Sequence, residues 1–241
     1  MSIIALTDAR LWLAEHDVTG DANEVGLDWQ AETKDRTTFG SNGKRAKTGG
    51  IETVTASLKI FADFEAAGSD AALAALNGQN DKPCSFGSAA AAGSVAYITK
   101  ALHSKRQPIV GKIGDTPLTD AMLEGSSNEG LIRGRIMAAK ATVSAGGSTT
   151  GIQLGAVSST QRVYVLLHVF DITGGGTLTC TLVSDDNSAF TSPTSRTAMT
   201  GATTAGAEWA STAGAITDDW WRINWGLTAG TATFAAVVGI Q

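Results

Sequence analysis

Along residues 24–34 apolar and polar side chains alternate with a period of two. Val25, Leu27, Trp29, Ala31 and Thr33 fall on one side of an extended chain, and Glu24, Gly26, Asp28, Gln30, Glu32 and Lys34 on the other. This is the pattern of a strand with one face against a core. Residues 51–63 repeat it: Val54, Ala56, Leu58, Ile60 and Ala62 face one way, and Thr53, Thr55, Ser57, Lys59 and Phe61 the other. The two segments are expected to pair as a long hairpin. Residues 40–49 between them are glycine-rich, basic and too long for a two-residue turn, so they are expected to project as a loop.

Residues 68–78, GSDAALAALNG, carry the one clear helical signal. Ser69 or Asp70 is placed to cap the first amides, the alanines and leucines favour helix, and Gly78 can end it in the left-handed conformation. Leu73 and Leu76, three apart, share one face. Further strands are predicted at 94–103, at 113–123 around a disruptive Pro117, and at 131–143. Beyond residue 160 strand follows strand, at 163–170, 178–182, 194–200, 207–212, 219–227 and 231–240, with TGGG at 173–176 as a turn. The expected fold class is mainly β: a sandwich or barrel with one short flanking helix, followed by a jelly-roll-like β-sandwich.

Charge divides the chain. Of its 41 charged side chains, nine lie in residues 149–241 and none of those is Lys. The change falls in the Gly/Ser/Thr stretch 143–155, which reads as a linker, so domains are expected at 1–147 and 148–241, the second one independent and facing outward. A net charge of −5 argues against a protein that grips nucleic acid, because such affinity comes from Lys and Arg neutralising phosphates. No apolar run is long enough to span a bilayer, and the first ten residues lack the basic and apolar blocks of an export signal, so insertion into a membrane and export are not expected. Cys84 and Cys180 are far apart and read as small buried hydrophobes of a chain made in reducing cytoplasm.

The search for chemistry returns absences. His16, His103 and His168 stand without neighbours at metal-ligand spacing. No Gly-x-Ser-x-Gly elbow occurs, and GSNGK at 40–44 lacks the glycine spacing of a phosphate loop, with Arg45 where Ser or Thr would bind magnesium. Asp185, Asp186, Asp218 and Asp219 are sequential pairs in turns and read as solvated. An enzyme is not expected, nor a cofactor or metal.

The order VGLDWQAETKDRTTFG (25–40), a basic loop, IETVTASLKIFADF (51–64) and GSDAALAALNG (68–78) resembles the major tail tube proteins of siphophages. Thr37, Thr38, Phe39, Gly40, Leu58, Phe61 and Asp63 occupy comparable places; Lys59, Ile60 and Pro117 depart from the pattern. The segments VSDDNSAFTSPTSR (183–196), TTAGAEWASTAGAITDDWWRINW (203–225) and FAAVVGIQ (234–241) resemble a module appended to some phage tail proteins. The resemblance implies a structural virion subunit, assembled in the host cytoplasm, whose hexameric rings stack into a hollow tube. It also implies partners: other copies of itself, a tape measure protein, tail terminator and tail-tip or baseplate initiator proteins, and DNA that passes through the lumen without sequence-specific binding.

Within that reading a channel wall rich in Lys and Arg would hold DNA, so Glu24, Asp28, Gln30 and Glu32, with Thr55 and Ser57, are expected to face the lumen. Lys44, Arg45 and Lys47 are expected to meet the next ring. The alternative is a phage adhesion or carbohydrate-binding tail protein, in which Trp220, pointing opposite to Trp221 and Trp225, offers a stacking surface to a sugar.

Overall fold

The computed structural model describes residues 8–38, 44–66 and 68–241. Ile3, Ile4, Leu6, Phe39 and Gly40, and most of the GSNGK segment, lie outside them. In chain order the elements of the first half are β1 (Arg10–Leu13), β2 (His16–Asp17), β3 (Ala22–Asp35), β4 (Lys47–Phe61), α1 (Ser69–Leu76), β5 (Lys82–Gly87), β6 (Val95–Val110) and β7 (Leu118–Gly125). Then come β8 (Ile132–Val143), β9 (Gly147–Ser148), β10 (Ile152–Gln153), β11 (Arg162–Thr173) and β12 (Leu178–Asp185). The last four are β13 (Thr194–Ala198), β14 (Gly206–Ala213), β15 (Trp220–Leu227) and β16 (Thr231–Ile240). The mainly-β class is as expected. Among the described residues no helix is long and apolar enough to cross a membrane.

These elements form two compact units, and neither is a continuous stretch of chain. One, here the sandwich unit, comprises the described part of Met1–Gly20, Pro83–Thr99 and Ile132–Gln241; the other, the hairpin unit, comprises Asp21–Lys82 and Lys100–Leu131. A boundary at 147/148 therefore does not describe the fold. The physical reason is strand pairing: β16, at the end of the sequence, lies between β8 and β11, with Val237 opposite Ile136 on one side and Leu166 on the other. Residues 143–155 are not a free linker either, since β9 and β10 both pair with β15.

In the sandwich unit the strand order β14-β11-β16-β8-β6-β5-β1-β2 makes one layer and β10-β15-β12-β13 the other. Val163, Val165, Phe234, Ala236 and Val238 face Leu178, Cys180, Leu182, Trp221 and Ile223 in the core between the layers. The intervening residues of the same strands, Tyr164, Leu166, Ala235 and Val237, pack against Trp12, Ile98, Ile132 and Ile136 in a second core. β11 and β16 are thus buried on both faces, which accounts for their near-continuous apolar runs where a half-buried strand would alternate. At one end β8 and β16 approach closely through paired Gly134 and Gly239; a Cβ on Gly134 would lie 2.2 Å from the Val238 carbonyl oxygen.

His168 on β11 closes the second core. It is fully buried; its Nδ1 lies 2.6 Å from the Ala14 carbonyl oxygen and its Nε2 2.7 Å from Ser85 Oγ. A carbonyl only accepts, so Nδ1 carries the proton and the Ser85 hydroxyl donates to Nε2. The ring also stacks on Phe170 and meets Trp12 edge-on. Burial pushes its pKa down from 6.5 to about 4, against smaller upward effects from its bond to Ala14 and the charge of Asp17. Cys84 and Cys180 are buried and form no disulfide, and burial pushes both thiols up to about 12. Asp185 and Asp218 are not the solvated turn residues expected. Asp185 is buried and accepts from the Ser192 and Asn187 amides. The Ser184 hydroxyl, and after it Arg196, hold Asp218 below the usual carboxylate range.

In the hairpin unit the order is β3-β4-β7-β6, antiparallel throughout. Val54, Ala56, Leu58 and Ile60 of β4 with Ala121 and Leu123 of β7 form its buried face, and α1 buries Ala72, Leu73 and Leu76. The helix is not capped by Ser69 or Asp70: Gly68 is its N-cap. Ser69 instead donates to the Phe61 carbonyl, and Asp70 pairs with Arg106 of β6, so both side chains dock the helix on the sheet. Gly78 does adopt the left-handed conformation, at φ 77°.

Two outcomes test this architecture. Above pH 6.5 His168 is neutral in both states and costs the fold nothing; as pH falls from 6.5 towards 4 it is protonated in the unfolded chain and still neutral in the fold, which lowers stability by about 3 kcal/mol in all. Denaturant midpoints measured across that range should fall more steeply for the wild type than for His168→Asn, and equal slopes would exclude His168 as the responsible group. A chain cut after Val143 removes β16 from β8 and uncovers Ile132, Ile136 and Met137, so it should lose cooperative unfolding by circular dichroism. A folded fragment would contradict the interleaved layout.

Candidate assembly surface

The hairpin unit carries the site because its sheet is incomplete in three ways. First, its lateral edges are open. β3 pairs only with β4, and beyond His103 no strand lies against the outer edge of β6 among the described residues. Unpaired strand edges are templates for another strand.

Second, one face is solvated and polar. Residues opposite each other in antiparallel strands point to the same side, so the register defines rows across this face. One row is Glu24, Lys59, Asp120 and Gln107; another is Ser57, Met122 and Lys105; a third is Asp28, Thr55, Glu124 and Leu102. The alternation read from the sequence thus places Glu24, Asp28, Gln30, Thr55 and Ser57 on one face. Glu32 sits at a register shift, its side chain packed beside Gly50. Lys59 bonds Glu24 at 2.6 Å, and that carboxylate raises the ammonium above its ordinary pKa. Sequence reasoning missed Lys105, Asp120 and Glu124, because only the register of β6 and β7 brings them to this face. Acidic groups outnumber basic ones across it.

Third, the apolar face is covered only in part. α1 docks at Phe61 and Arg106, but β3 and β4 run on past β7, whose pairing with β4 stops at Thr55. Past that point they form a two-stranded ribbon on which Trp29, beside Val54 on the apolar face, is 51% exposed, while Ile51, on the polar face with Thr53, is 73% exposed. The half-buried character expected of the whole strand therefore holds only for its first part. Phe61 and Met122, on the polar face, are exposed as well, as are Phe64, Ile109 and Ile113. Every large apolar side chain exposed among the described residues belongs to the hairpin unit and none to the sandwich unit. Lys44, Arg45 and Lys47 are exposed near the ribbon's tip, Lys47 opposite Asp35.

Trp220 lies in the sandwich unit on β15, opposite Gln153 and Asp185, and is half-buried. Its neighbour Trp221 is buried and donates to the Gly155 carbonyl. His16 lies 3.6 Å from Glu15, and no cluster of metal-ligating side chains occurs among the described residues.

No protein-family model matches the chain. No curated protein matches it. Among solved structures it is similar to the Dit (gp 19.1) protein of phage SPP1, described as a hub adsorption apparatus of phages that infect Gram-positive bacteria, with 11% identity, 97% of this chain and 99% of that one covered, and a TM-score of 0.36. It is also similar to a protein of infectious bursal disease virus, Gx strain, with 9% identity, 96% and 55% covered and a TM-score of 0.32.

The exposure of the ribbon is directly measurable. Of the six tryptophans Trp29 alone is exposed, so Trp29→Phe should remove the largest share of the emission quenched by acrylamide in the unassembled protein. An unchanged quenching curve would mean that the ribbon is covered.

Proposed function

We propose that the protein is a structural subunit of a bacteriophage tail, and specifically that it polymerises as stacked hexameric rings into the tube that conducts DNA. The observation that carries this reading is a four-stranded sheet with two open edges and a solvated, acid-leaning face. The strands alternate in direction, so β6 of one copy and β3 of the next meet antiparallel, and the pattern continues around a ring without a break. Six copies close about 24 strands, a circumference of roughly 115 Å at ~4.8 Å per strand, which is wide enough to admit a duplex once side chains line it. Closure removes the edges that a monomer leaves exposed.

The polar face then lines the channel. Glu24, Asp28, Asp120 and Glu124 offset Lys59 and Lys105, so the wall repels phosphate within a Debye length of ~8 Å instead of binding it. The sequence resemblance to tail tube proteins agrees with this arrangement, and tape measure, terminator and initiator proteins are its expected partners.

Electron microscopy of the purified protein should show rings or hollow tubes; a protein that remains monomeric at high concentration refutes the reading. Replacing Asp28 and Glu124 together with Lys should leave assembly unchanged and make the tubes retain linear DNA in low salt. Failure of the charge-reversed tubes to retain it would remove this face from the lumen.

A further inference from the structure

The sandwich unit carries a basic cleft that neither its core packing nor the tube reading uses. β10 forms the rim of the second layer and faces β8 and β16 of the first across this cleft. Arg135 of β8 pairs with Val238, whose side chain lies in the core between the layers, so Arg135 and, two residues away, Arg133 share that face. At the rim the two arginines, Gln153, Leu154 and Ile240 line a space of about 240 Å³. Pockets that hold a whole drug-sized molecule measure roughly 300–1,000 Å³. This one suits a single functional group with a small substituent.

Three features point to a negatively charged group. First, Arg10, Arg106 and Arg196 pair with carboxylates, whereas among the described residues Arg133 and Arg135 do not. Their Cα atoms are roughly 7 Å apart at ~3.4 Å per residue, so two like charges stand side by side, and an anion between them would relieve the repulsion. Second, Arg135 Nη1 donates to the Gly93 carbonyl at 2.6 Å, which fixes the guanidinium and leaves its other N–H groups for a ligand. Third, Gln153 Nε2 donates to the Asp219 carboxylate, which holds the amide at the rim with its second N–H unused. Two guanidiniums against one engaged carboxylate leave the cleft positive in a chain whose net charge is −5.

We propose that this cleft binds an oxyanion, a phosphate or carboxylate group on a small organic substituent. Arg133 and Arg135 are its charged donors, Gln153 is a neutral one, and Leu154 and Ile240 lie against the substituent. Guanidinium N–H groups match such oxygens in bidentate pairs. Arg135 taken alone reads as a brace for Gly93; Arg133 is exposed and has no such part in the fold. Every residue of the site belongs to the sandwich unit, so the proposal stands apart from the tube reading.

The test uses the full-length protein and two probes, phenyl phosphate and benzoate, in titration calorimetry at low salt. Saturable binding of phenyl phosphate alone supports a phosphate site, of benzoate alone a carboxylate site, and of both a general oxyanion site. Arg133→Gln, with wild-type circular dichroism, should lose the binding. Arg36→Gln, which removes the same charge from an exposed position in the hairpin unit, should keep it. Mapping of phenylglyoxal modification by mass spectrometry gives the location. At roughly nine times its Kd a probe leaves about a tenth of the sites free, so Arg133 should react about tenfold more slowly and Arg36 at its unliganded rate. Absence of saturable binding by either probe, binding retained by Arg133→Gln, equal loss in both variants, or equal protection of Arg133 and Arg36 would overturn the proposal.

Discussion

Strands β11 and β16 are buried on both faces, and most of the sandwich unit follows from that. An antiparallel strand flanked by two cores needs neighbours on both edges and packing above and below. Here the neighbours are β14 and β8, the layer on one side is β10-β15-β12-β13, and the other side is filled by Trp12, Ile98, Ile132 and Ile136. Trp12 and Ile98 come from stretches of chain far from β11 in sequence. The C-terminal strands therefore cannot form a finished domain alone, and the first segment cannot fold without them. His168 fixes the arrangement by giving each ring nitrogen one partner, Ala14 and Ser85, from two of those distant stretches. Unpaired, either nitrogen would cost about 1–3 kcal/mol at such a depth.

The hairpin unit is built on the opposite principle. A helix of only eight residues docks on it, through Ser69 at the Phe61 carbonyl and Asp70 at Arg106. The sandwich unit leaves no large apolar side chain exposed among the described residues, while the hairpin unit exposes seven. Fully burying a side chain of this size contributes about 1.5–3 kcal/mol, so the apolar surface still available to an assembly is concentrated in one part of the molecule. Stability and association are supplied by different parts of one chain, which passes between them several times.

Periodicity alone determined a good deal of this protein. The alternation in 24–34 and 51–63 gave the hairpin, its buried face and the common face of Glu24, Asp28, Gln30, Thr55 and Ser57, because side-chain direction in a strand is a local property with a period of two. The helix at 69–76 and the strands after residue 160 were legible for the same reason. Short strands such as β1, β2, β5, β9 and β10 were not, since two to six residues carry too little pattern to separate a strand from a loop. Tertiary structure decided which strands share a sheet. A fall in charge and a glycine-rich stretch suggested a boundary at 147/148, but low charge marks residues buried on two sides as readily as a separate domain, and pairing energy is exchanged between residues far apart in sequence. The exposure of Trp29 and Ile51 was hidden likewise: the sequence shows that they are apolar, and only the point at which β7 stops pairing with β4 decides that nothing among the described residues covers them.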